Sequence, residues 1–92
     1  MSKNNKKRLP MHVTSSGFRY TLDPKRLSNY ELVEAIAEAD ENPLLMPKVV
    51  KLLLGHQAEK LKDHLRDKDG FVSTEKMMNE IQDIFKSQQV KN

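Results

Sequence analysis

Hydrophobic and polar positions alternate along this chain in two distinct rhythms. Between Leu44 and Leu54 the only charged residues are Lys48 and Lys51, three apart and so on one narrow edge of a helix. A helix apolar on nearly every other side calls for cover almost all round. A chain of 92 residues is expected to fall short of supplying it. The stretch therefore points to partners, and Leu45, Val49 and Leu52 are the residues it offers for contact.

A period of two runs through Phe18, Tyr20 and Leu22, separated by Arg19 and Thr21, and predicts a short extended segment. Asp23-Pro24 then turns the chain. The helical period begins at Ser28, where Ser28 and Glu31 form an S-x-x-E capping box. Leu32, Val33, Ile36, Ala37 and Ala39 give this first helix its apolar face, and Asn42-Pro43 ends it. The second helix starts at Pro43 with Asn42 as cap, or at Pro47, and stops at Gly55. A third covers residues 57–66, with Ala58, Leu61 and Leu65 on one face. Ser73 caps the fourth, which runs to about Lys86 on a stripe of Met77, Met78, Ile81, Ile84 and Phe85. Phe71-Val72 is expected to pack down before it. The fold class is mainly α: a small four-helix domain over residues 18–86 with a short N-terminal extended segment. Residues 1–17 are expected to be a flexible basic arm and residues 87–92 a frayed, disordered tail.

The formal charge of +3 conceals an asymmetry. Residues 1–26 hold Lys3, Lys6, Lys7, Arg8, Arg19, Lys25 and Arg26 against Asp23, which makes this stretch +6 and the remainder −3. The basic character belongs to the arm, which weakens a nucleic-acid reading for the domain. Glu31, Glu34, Glu38 and Glu41, spaced 3, 4 and 3 apart, share one helix face with no Lys or Arg between Tyr30 and Pro43. Like charges at these spacings repel by a few tenths of a kcal/mol per pair. The stripe is a solvated face or a docking edge for a basic partner.

Candidate chemistry is sparse. There is no Cys, hence no disulfide and no zinc-thiolate site. Placing Gly70 at position 6 of a calcium loop puts Leu65 at position 1 and Lys76 at position 12, so two oxygen ligands are missing. Asp67-Lys68-Asp69-Gly70 reads instead as a turn. His12, His56 and His64 have no metal-ligand spacing, and no G-x-S-x-G or phosphate-cradling loop is present. No catalytic residue, metal or cofactor is expected. No apolar run approaches the roughly 20 residues that span a bilayer, and the basic start lacks the apolar segment of a signal peptide.

Three runs carry a resemblance: Leu27-Ser28-Asn29-Tyr30-Glu31-Leu32-Val33-Glu34; Leu45-Met46-Pro47-Lys48-Val49-Val50-Lys51-Leu52-Leu53-Leu54-Gly55; and Leu61-Lys62-Asp63-His64-Leu65-Arg66-Asp67-Lys68-Asp69-Gly70-Phe71-Val72-Ser73. In this order they resemble the small tail assembly chaperones of long-tailed, siphovirus-type bacteriophages and prophages of Gram-positive bacteria. The resemblance covers residues 18–86 and leaves the lysine-rich start outside it. It implies a helical, non-enzymatic protein of the bacterial host cytoplasm, absent from the mature virion. Such a protein binds the tape-measure protein, and tail-tube subunits, during tail assembly. It also implies that a frameshifted longer product accompanies the protein in many of these phages. Self-association is a further expectation of the apolar helix. The alternative is a small helical DNA-binding regulator, although no helix carries an Arg/Lys/Asn/Gln reading face.

Overall fold

The computed structural model describes residues 9–89, so Lys3, Lys6, Lys7 and Arg8 of the expected arm lie outside the described residues. The protein is mainly helical, with a small two-stranded sheet. Strand β1 (His12–Val13) pairs antiparallel with β2 (Arg19–Tyr20), in a register that sets His12 opposite Tyr20. Within the arm expected to be flexible over residues 1–17, His12–Val13 form a strand and the following residues a turn. The signal for it is local: Thr14 N–H donates to Phe18 O at 2.9 Å, and Phe18 N–H returns to Thr14 Oγ1 at 3.1 Å. The period of two in the second strand holds. Phe18, Tyr20 and Leu22 are buried, and Arg19 is exposed.

Helix α1 (Pro24–Leu27) is one turn, capped by Asp23, whose carboxylate accepts from Lys25 N–H at 3.0 Å. It displaces the expected start of the next helix. Ser28 ends α1, and its hydroxyl turns back to donate to Pro24 O at 3.2 Å. The hydroxyl is thus engaged with the open carbonyls behind it, and the Ser28–Glu31 capping box does not form. Asn29 caps α2 (Tyr30–Glu41) instead, with Oδ1 accepting from Glu31 N–H at 3.0 Å.

Both proline starts of the next segment are used. Asn42 caps a short 3₁₀ turn (Pro43–Leu45), and α3 (Met46–Leu54) begins with Pro47 in its first turn. Each proline sits where its missing N–H would have no helical partner. Helix α3 ends at Gly55, at φ 60°, and α4 (Gln57–Leu65) follows at once. Helix α5 (Thr74–Gln89) starts after Ser73, whose Oγ accepts from Lys76 N–H at 3.2 Å, and it outruns the expected end near Lys86.

The core joins these elements through Tyr20, Leu32, Val49, Leu53, Leu54, Leu61 and Ile84, all fully buried. Side chains fasten the sheet to the helices. Gln57 lies beside the backbone of Thr21 as another strand would: Thr21 N–H donates to Gln57 Oε1 at 2.8 Å, and Gln57 Nε2 donates to Thr21 O at 2.9 Å. Asp83 on α5 accepts from both the N–H and the Oγ of Ser15 at the hairpin turn, at 2.7 and 2.9 Å.

Two packing expectations are overturned. Helix α2 buries Leu32, Ala35 and Ala39, while Val33, Ile36 and Ala37 face outward. A helix with apolar residues on two arcs has no periodicity that ranks them. The arc holding two alanines lets α2 approach α3 closely, and that arc faces inward. Phe71 is 71% exposed rather than packed down, and Val72 is half-buried. Arg66 and Val72 form an isolated antiparallel bridge, and along such an extended stretch successive side chains point opposite ways.

Candidate functional site

The apolar helix is largely covered by its own chain. Val49, Val50, Leu53 and Leu54 are buried, and Leu52 is half-buried against the core. Of the three contact residues expected from the sequence, Val49 is 2% exposed and Leu45 is 37% exposed. Leu45, Val49 and Leu52 therefore do not form one free surface. Val49 and Leu52 turn toward the core, while Leu45 sits in the 3₁₀ turn before the helix and stays exposed. The exposed edge of α3 carries Pro47, Lys48 and Lys51.

What α3 does offer is its N-terminal end. The 3₁₀ turn and the first turn of α3 stand across from α4 and from the entry to α5, and between them lies an open cleft of about 290 Å³. Leu44, Met46, Pro47, Val50, Val72 and Met77 supply its apolar lining, and Lys51, Glu59 and Lys62 also border it. Leu44 is 84% exposed, the most open of the large apolar side chains among the described residues. Lys62 pairs with Glu59 at 2.9 Å, an exposed pair that adds little stability. The volume suits one or two apolar side chains of a partner and is small for a drug-sized ligand. The two prolines border this opening and bracket the short 3₁₀ turn that precedes α3. The Pro43–Pro47 spacing is the sequence signal for it, and it was legible only as an ambiguity about where the helix starts.

The outer face of α2 is the second unpartnered surface. Tyr30 is 70% exposed and Val33 is 54% exposed, with Ile36 and Ala37 continuing the stripe. Glu31, Glu34, Glu38 and Glu41 are all exposed, and they run beside it. The ion pairs among the described residues are Lys62–Glu59 and Arg66–Asp63, so no carboxylate of α2 is paired there.

The Asp67–Gly70 loop and two of the three histidines have structural partners. Asp67 Oδ1 accepts from Asp69 N–H at 2.9 Å and Phe71 N–H at 3.0 Å, which folds the loop around the carboxylate. Gly70 completes that turn at φ 92°, where a side chain would be strained. Among the described residues no three His, Cys, Asp or Glu side chains are grouped as metal ligands. His12 stacks on Tyr20 with ring centroids 5.3 Å apart, and His56 is exposed.

His64 lies 3.0 Å from Ser16 Oγ through Nε2, a spacing that resembles a nucleophile and its base. The same Nε2 faces the carbonyl oxygen of Ser16 at 3.2 Å. An acceptor there favours the Nε2–H tautomer, which cannot take the hydroxyl proton. The contact ties the hairpin to α4. A polar hollow lies next to it, bordered by Ser16, His64, Arg66, Lys76 and Glu80. Glu80 is buried, and its Oε1 has no hydrogen-bond partner among the described residues.

No protein-family model, curated protein or solved structure matches this chain. Among the described residues no helix is long and apolar enough to cross a membrane.

Proposed function

We propose that this chain is a non-enzymatic tail assembly chaperone of a long-tailed phage or prophage. It binds the tape-measure protein, and tail-tube subunits, in the cytoplasm of the bacterial host and leaves before the virion is complete. The observation that supports this reading best is the open apolar cleft at the start of α3, with Leu44 at its lip. A long helical client needs its apolar side chains covered one or two at a time and released again. A shallow cleft serves that better than a deep pocket, because a small buried area keeps each contact weak and reversible. Met46 and Met77 in the lining suit irregular client side chains, since the unbranched thioether adapts its shape.

Co-expression of the full chain with the tape-measure product of its own genome tests the reading. The client is expected to stay soluble and to co-purify with the wild-type chain. Leu44→Asp is expected to release it without unfolding the chaperone, because the side chain is already in solvent. A tape-measure product that neither gains solubility nor co-purifies with the wild-type chain would overturn the proposal.

A further inference from the structure

The outer face of α2 is a second docking surface, and we infer that its occupant is a basic amphipathic helix of a partner protein. The apolar stripe of Tyr30, Val33 and Ala37 follows the i, i+3, i+7 spacing of a helix-on-helix contact, with Ile36 at its margin. A stripe left open in so small a domain is the first observation. The second is charge: α2 carries Glu31, Glu34, Glu38, Asp40 and Glu41 and no Lys or Arg. Three of those carboxylates lie in the last turn, at the negative end of the helix dipole, where they are least favourable and where a cation helps most. A helix that lays apolar side chains on the stripe and sets Lys or Arg along one flank relieves both features together.

The same charges disfavour a second copy of this chain as occupant. A two-fold contact through α2 would set the same face against itself, with five carboxylates opposing five. The surface shares no residue with the α3–α5 cleft. It therefore stands or falls independently of the chaperone reading and adds a second site of different polarity to the domain.

Titration of the isotope-labelled full chain with a synthetic 18-residue helical peptide of Leu and Lys, followed by amide shifts, tests this. A matched peptide of Leu and Glu is the control. The Leu/Lys peptide is expected to shift the amides of α2, and the Leu/Glu peptide to shift none. Glu34→Lys combined with Glu38→Lys is expected to weaken binding about tenfold or more, and Val33→Ser about fivefold. All three positions are exposed, and circular dichroism checks that the variants fold. Leu44→Asp is expected to leave peptide affinity unchanged. Shifts confined to the cleft would overturn the inference, as would affinity that survives the charge reversal. Two other results would also overturn it by naming another occupant. One is concentration-dependent α2 shifts without peptide, which would mean a second copy. The other is tighter peptide binding on removal of residues 1–8, which would mean the chain's own basic segment.

Discussion

The guanidinium of Arg26 lies against Gly55 at the C-terminal end of α3. Its Nη1 donates to Leu52 O at 3.0 Å, and a Cβ at position 55 would fall 2.8 Å from Arg26 Cζ. One cation thus satisfies an open carbonyl of α3 at the negative end of its dipole. It can do so only because position 55 has no side chain. Gly55→Ala brings a crowded contact together with a positive φ of 60°, and is expected to cost about 1–3 kcal/mol. Arg26→Ala relieves the crowding but not the φ. The double variant is therefore expected to lose less than the sum of the two single losses in urea unfolding. Strict additivity would mean that Arg26 and Gly55 are independent.

Asp83 makes the hairpin's attachment sensitive to acid. The two hydrogen bonds from Ser15, first the backbone and then the side chain, hold its carboxyl below the ordinary 3.8, with Lys86 adding to them and burial opposing. A carboxyl depressed in the folded state contributes stability that is fully present above its unfolded value. That contribution is lost as pH falls through the lower folded value. The wild-type chain is thus expected to lose stability below about pH 4 more steeply than Asp83→Asn, with the two compared by thermal melts across the acid range. Parallel acid profiles would mean that the Ser15 contacts do not persist in solution.

Glu80 is the least comfortable side chain of the described residues, buried with one carboxylate oxygen unpartnered. Glu80→Met keeps the length of the side chain and removes the unpartnered polar atom. It is expected to raise stability by about 1–2 kcal/mol, because an unsatisfied buried polar group costs that order of free energy. Chemical denaturation measures it, and a loss of stability would assign Glu80 a partner in solution.

The inward arc of α2 is fixed by size. Ala35 is fully buried where α2 meets α3, so Ala35→Leu is expected to cost about 1–3 kcal/mol through overpacking. Val33→Ser, on the outward arc, is expected to stay within about 0.5 kcal/mol of wild type. The reverse ranking in thermal melts would mean that Val33, Ile36 and Ala37 face the core after all.

Much of the fold was legible in the sequence because its signals are local. The period of two from Phe18 to Leu22, the stop at Gly55, the Ser73 cap and the Met77–Ile84 stripe each depend on residues within a few positions. The misreadings share a different character. The spacing of Ser28 to Glu31 suits a cap, yet its hydroxyl is engaged by the turn before it. The β1 strand was missed because two residues paired across a tight turn carry no periodicity. The candidate site fared similarly: the acidic stripe of Glu31, Glu34, Glu38 and Glu41 is exposed where spacing placed it, while Val49 is in the core.

The sequence alone determined the four longer helices, where they start and stop within a few residues, and that α2 carries an unrelieved acidic face, while the single turn of α1 reads only as a bend at Asp23-Pro24. These follow from backbone preference and side-chain spacing, which act over one or two turns. Only the tertiary structure decided which apolar arc of α2 and which edge of α3 remain open. Both helices have more apolar surface than one neighbour can cover, and the choice between arcs depends on how closely two backbones can approach. In α2 the alanines settle that choice inward. This leaves Tyr30 and Val33 beside the acidic stripe, and Leu44 at the mouth of the cleft.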